Sequence, residues 1–130
     1  MKKLAAVFVL LTLMLSLAAC GSAVSIGGFS SKYYNNDAYD AAVQELMTHF
    51  DSLSGCTLKK ISYAGDKTVK EAAEARGLAP EQIIVLTSAF ETDGTSREDG
   101  LESNKTYEDY QWILTRENSF DLFWSLAELG

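Results

Sequence analysis

Two thiols and one imidazole are the side chains of this sequence best suited to covalent or acid–base chemistry: Cys20, Cys56 and His49. Cys20 closes an apolar run and follows Ala18-Ala19, whose small side chains leave the backbone open, so its soft sulfur is placed to form a thioether. Cys56 follows Gly55 and precedes a strand-like run, a setting in which a cysteine is expected to be buried. His49 would have to serve any Ser-His-Asp or Cys-His pair, yet no nucleophile sits on an elbow motif, so no catalytic residue is assigned and a structural or solvated histidine is expected. One histidine and one remaining cysteine fall short of a zinc set. Glu91, Asp93, Glu98, Asp99 and Glu102 form an oxygen-rich stretch, but the order of acids, glycine and terminal glutamate that holds calcium is missing, so a solvated surface is expected and neither metal nor cofactor is assigned. Tyr110, Trp112 and Trp124 have the size and amphipathic tips to line a ligand cleft, although the same alternation also suits a core.

The surroundings of Cys20 carry the most information. Lys2 and Lys3 lead into the apolar run Leu4 to Leu17, and Ala18-Ala19 close it: the charged start, hydrophobic middle and cleavable end of an export signal. Interrupted by Thr12 and Ser16, the run is shorter than the roughly 20 apolar residues a stable membrane helix wants, so cleavage is expected in place of a permanent span. Leu17-Ala18-Ala19-Cys20-Gly21 resembles the lipobox of bacterial lipoproteins. The resemblance implies a diacylglyceryl group on the Cys20 sulfur and cleavage between Ala19 and Cys20. Two acyl chains suffice for stable anchoring where one does not. An ordinary secretory signal with an incidental cysteine is the competing reading.

Of 130 residues, removal of residues 1–19 leaves 111, one domain's worth. Without Lys2 and Lys3 the 11 basic residues become 9 against 18 acidic, a balance of −9, which argues against nucleic acid and against adsorption to anionic lipid by charge. The expected membrane contact is the lipid on Cys20. With that cysteine acylated, Cys56 has no partner and no disulfide is expected.

The elements that would position these groups follow in order. Residues 20–36 comprise the lipidated cysteine and a Gly-, Ser- and Asn-rich flexible tether, and 37–130 a single domain. Tyr39, Val43, Leu46, Met47, Phe50 and Leu53 recur at helical spacing after Asn36 as a cap, with Gly55 as the stop. Thr57 to Tyr63 reads as an edge or bulged strand, because Lys59 and Lys60 interrupt its alternation. Asp66 to Arg76 reads as a second helix, with Thr68 and Glu71 spaced as a capping box and Gly77 closing it. Ile83-Ile84-Val85-Leu86 is a continuous run rich in β-branched residues, extended by Thr87 to Glu91 into a central strand. Residues 92–106 are polar and predict a long exposed loop. Tyr107 to Arg116 alternates, and Phe120, Leu122, Trp124 and Leu126 alternate again across Glu117-Asn118-Ser119, predicting a hairpin with one aromatic face. The class is α+β: one long amphipathic helix and a short helix packed on an antiparallel sheet of about four strands.

Gly55-Cys56-Thr57-Leu58, Ile84-Val85-Leu86 leading through Ser88-Ala89-Phe90, Asn104-Lys105-Thr106-Tyr107 and Trp112-Ile113-Leu114-Thr115-Arg116 resemble an uncharacterised family of Gram-positive lipoproteins, over roughly residues 37–126. The resemblance implies a cystatin-like or NTF2-like module and brings no catalytic motif. The expectation is a membrane-anchored protein facing outside the cytoplasm, a binding or interaction module for an unknown protein or small ligand, with Tyr110, Trp112 and Trp124 as its ligand-binding residues. The alternatives are a small enzyme with a cleft near His49, and an inhibitor or immunity-type protein presenting the 92–106 loop.

Overall fold

The computed structural model describes residues 24–119 and 121–129. The leader, Ala19 and Cys20 lie outside the described residues, as does Phe120.

Helix α1, Asn36–Asp51, starts where the Asn35 side chain, in extended backbone, accepts the Ala38 N–H at 2.9 Å, with Asp37 in the first turn. The cap is therefore Asn35, one residue earlier than expected. The helix ends at Ser52, whose N–H reaches the His49 carbonyl at 3.0 Å. Gly55 serves a different purpose from the expected stop: at φ +71 it turns the chain into the next strand, and a Cβ there would lie 2.2 Å from Asp93 Oδ1. Ala38, Tyr39, Ala42, Val43, Leu46 and Phe50 form the buried stripe of α1.

That stripe lies on a five-stranded sheet whose spatial order follows the chain: β1 Ser25–Ile26, β2 Cys56–Tyr63, β3 Ile83–Thr92, β4 Thr106–Thr115 and β5 Ser125–Leu129. The α+β class is as expected, but the sheet is mixed. β1 runs parallel to β2, and the other neighbours are antiparallel. The fifth strand comes from the segment read as a tether. Residues 24–35 pack on the domain: Gly27 N–H bonds the Ile61 carbonyl at 2.8 Å, Phe29 stacks on Tyr39 with ring centroids 4.3 Å apart, and Tyr34 is 8% exposed. A Gly- and Ser-rich composition signals backbone freedom, which the aromatic anchors Phe29 and Tyr34 override once a surface exists to receive them.

The register of β2 against β3 shifts between Leu58 and Lys60. The bulge absorbs the adjacent lysines and puts Leu58 and Ile61 into the core. β3 is central, and its run Ile83 to Leu86 is fully buried. Leu86 sits opposite Trp112 and Ser88 opposite Tyr110; past a second register shift Phe90 faces Tyr107, and Asp109 takes φ +53 there. Phe50 packs edge-on against both Phe90 and Trp112, at 5.0 and 5.1 Å between ring centroids, so the space between α1 and the sheet is filled.

Helix α2, Asp66–Arg76, joins β2 to β3, buries Val69 and Ala73, and ends at Gly77 in the left-handed conformation. The Thr68–Glu71 box does not cap it. The helix starts at Asp66 after Gly65, two residues before Thr68, and no side chain caps it. β5 also starts later than the alternation predicts. Asp121 draws the Arg116 guanidinium onto its carbonyl at 2.8 Å and the Phe123 N–H onto its carboxylate at 2.9 Å, so this stretch loops and leaves Leu122 and Phe123 exposed. Among the described residues no helix is long and apolar enough to cross a membrane.

Candidate functional site

Of the three aromatic residues read as ligand-binding, Tyr110 and Trp112 pack on each other and Trp124 lies apart from them. Trp112 is 1% exposed under the C-terminal half of α1, with its indole N–H donated to Ser88 Oγ at 2.6 Å. Trp124 is 4% exposed and donates to the Ala38 carbonyl, near the other end of the helix, at 2.9 Å. Tyr110 is half-buried against Trp112 and Tyr107. Each tryptophan thus has its polar tip satisfied inside the core, which is what burial of an indole requires. His49 packs its ring against Trp112 and Phe50, with Nε2 buried and without a hydrogen-bond partner. A base for nucleophilic catalysis needs a hydroxyl or thiol within reach, and these ring neighbours supply neither.

The acidic loop, residues 93–105 between β3 and β4, is held to itself and to the turn before β2. Thr92 Oγ1 donates to the Glu102 carbonyl at 2.6 Å, Asp93 caps the Thr95 N–H at 2.8 Å, and Ser103 reaches the Thr95 carbonyl at 2.7 Å. Arg97 is its anchor: Nη2 bonds Asp99 at 2.6 Å and Cys56 Sγ at 3.2 Å, while Nη1 bonds the Ser54 carbonyl. Cys56 is half-buried, where full burial was expected, and its sulfur accepts from this guanidinium. Burial pushes the thiol pKa up, and Arg97 pulls against it without winning. Among the described residues no group of three or more His, Cys, Asp or Glu is placed to hold a metal ion.

An opening of about 520 Å³ lies instead where the 24–35 segment, the start of α1 and the chain beyond β4 meet. Lys32, Tyr33, Tyr34, Asn35, Arg116 and Ser119 line it, with Leu122 at its edge. No known family model, curated protein or solved structure matches the chain. The chemistry of the opening is therefore read from its own side chains. Arg116 is 7% exposed; its guanidinium carbon lies 4.4 Å from the centre of the Trp124 ring, Nε donates to the Glu81 carbonyl and Nη1 to the Asp121 carbonyl, each at 2.8 Å. Burial lowers its pKa, with Tyr34, Asp121 and Glu81 acting the other way. Tyr34 donates its hydroxyl to the Ile83 carbonyl, and burial drives its pKa far up, so it stays a neutral phenol. Lys32 is exposed at the rim, its ammonium 5.5 Å from the Tyr33 ring centre.

Sequence reasoning missed this group. Lys32, Tyr33, Tyr34 and Asn35 fall in the stretch read as a tether, Arg116 at the end of a predicted strand and Ser119 in the predicted hairpin turn. The Tyr33-Tyr34 pair at the end of the tether does signal docking on the domain, since adjacent aromatic residues in a polar stretch need a surface to pack on, but it does not point to Arg116.

Proposed function

We propose that this chain is a lipid-anchored extracytoplasmic binding module, attached through Cys20 and built on a cystatin-like or NTF2-like domain, with the Arg116 cleft as the place where a small ligand is held. The observation that carries the reading is the contrast between two spaces. The helix–sheet interface is occupied by Phe50, Phe90 and Trp112, whereas the Arg116 cleft is open and carries a positioned, nearly buried charge. A binding module needs this and no more; an enzyme would also need a nucleophile or base in reach of the same opening. The leader pattern supports anchoring, and Val24, four residues beyond Cys20, could stand no more than about 14 Å from the lipidated sulfur's own residue, which keeps the domain against the bilayer.

Two measurements test the proposal. Cells fed labelled palmitate should label the wild-type chain and not Cys20→Ser, and the variant should leave the membrane fraction; equal labelling of both rejects the anchor. A panel of small metabolites screened against the detergent-solubilised full chain should raise its thermal midpoint for some class of compound, because a ligand that binds the folded state stabilises it. A panel without effect rejects the cleft as a binding site.

A further inference from the structure

Resting on the reading of the cleft as a ligand site, we propose that it takes a small oxyanion, a carboxylate or phosphate group, held between Arg116 and Lys32. Arg116 is costly to bury. A guanidinium that is 7% exposed has given up most of its water, and a buried charge is expensive unless something of opposite sign or a set of acceptors compensates it. Among the described residues its side chain bonds the main-chain carbonyls of Glu81 and Asp121, which fix its position without cancelling its charge. Among the described residues no carboxylate forms an ion pair with it. Asp121 and Glu81 are the acidic residues that act on it electrostatically, and the Asp121 carboxylate is engaged by the Phe123 N–H. Neither Glu81 nor Asp121 takes Nη2 through its carbonyl, and the Trp124 ring covers a face of the guanidinium and prevents it from swinging.

This arrangement is a fork fixed before the ligand arrives, so the ordering cost that usually weakens a surface salt bridge has already been met in folding. Lys32 adds a second cation on the same opening. Asn35 and Ser119 add polar groups, and Tyr33 and Leu122 an apolar wall for the body of a ligand. The cleft is local in its sign. Against a formal net charge of −7 for the chain, Lys32 and Arg116 place two positive charges on one concave opening, where they concentrate anions locally. The start of α1 lines the same opening, and there the Asn35 side chain already takes the Ala38 N–H.

The experiment uses the full chain in neutral detergent micelles, with the Trp124 indole N–H signal followed by NMR. Sodium benzoate, inorganic phosphate and benzamide are titrated at constant ionic strength, and phosphatidylglycerol is added to the same micelles as a fourth arm. Benzoate or phosphate should move the signal saturably while benzamide, the uncharged isostere, leaves it in place. A response to phosphatidylglycerol alone assigns the oxyanion to a lipid headgroup. Lys32→Glu, a surface change that leaves the core alone, should weaken the response by about tenfold or more, since it replaces an attractive charge by a repulsive one. Arg116→Lys should keep the charge, lose the fork and weaken binding too, and the Lys32 variant decides the matter if Arg116→Lys fails to fold. Benzamide moving the signal as far as benzoate overturns the oxyanion assignment but leaves a binding cleft. No response to any of the three anions overturns it as well, and whether the cleft binds anything is then decided by the thermal screen.

Discussion

The Ser31 hydroxyl donates to Asp66 Oδ1 at 2.6 Å, tying the segment ahead of α1 to the first residue of α2. The same carboxylate accepts the Lys32 N–H at 3.0 Å and the Tyr63 hydroxyl at 2.5 Å. One side chain therefore holds a stretch whose composition favours disorder. Asp66→Ala should release it: the Gly27 amide, bonded to Ile61, should exchange faster, and global stability should fall by about 1–2 kcal/mol, as loss of charge-assisted hydrogen bonds usually costs. Unchanged exchange at Gly27 would show that the aromatic anchors alone are enough.

The pH dependence of that tie has a definite sign. Burial raises the Asp66 pKa, but the bonds from Lys32, Ser31 and Tyr63 outweigh it and hold the group below its ordinary 3.8. A carboxylate depressed in the folded state contributes stability that is complete above the unfolded value and disappears as pH falls through the lower folded one. Urea midpoints of wild type should therefore drop between pH 5 and pH 2 by more than those of Asp66→Asn, in which the group cannot titrate. Parallel curves for the two proteins contradict this account.

The Trp112 and Ser88 pair lends itself to a double-mutant cycle. Ser88→Ala leaves the indole N–H, 1% exposed at Trp112, without its acceptor, and should cost about 1–3 kcal/mol in urea unfolding. Adding Trp112→Phe to Ser88→Ala should cost less than Trp112→Phe costs alone, because the orphaned donor is removed with the ring. Strict additivity would mean that the indole finds another partner.

His49 makes the opposite prediction. Its Nε2 is buried without a partner beside Trp112, so His49→Phe removes an unsatisfied polar atom while keeping a ring in place. Stability should be unchanged or higher by up to about 1 kcal/mol, read from the urea midpoint. A clear loss would assign Nε2 a bond worth keeping.

Cys56 should react slowly. A half-buried thiol with a raised pKa, its sulfur bonded by Arg97, should be modified by iodoacetamide at neutral pH at least about tenfold more slowly in the folded chain than in urea. Arg97→Ala should speed hydrogen exchange across residues 93–105, since Arg97 ties that loop to Ser54 and Cys56. Rapid labelling of the folded wild type would place the thiol on an open surface.

The sequence by itself determined the local elements. Helix α1 was legible because its apolar residues repeat at helical spacing, β3 because four consecutive β-branched and aliphatic residues need cover on both faces, and α2 because Gly77 supplies a left-handed end. The caps were missed by one to three residues, since Asn35, Asn36 and Gly55 carry similar local signals and the turn into β2 decides among them. Tertiary structure decided where aromatic residues without periodicity go. Phe29 and Tyr34 find the pocket around Tyr39 and Tyr63 only after α1 and the sheet have made it, and Trp124 caps Arg116 only once the Asp121 carbonyl has met the guanidinium. A strand of two residues cannot be read from composition, because its pairing energy resides in the neighbouring strand. The candidate site has the same origin: Lys32 and Arg116 are far apart along the chain, and it is packing of the buried rings between them that makes one opening of the two.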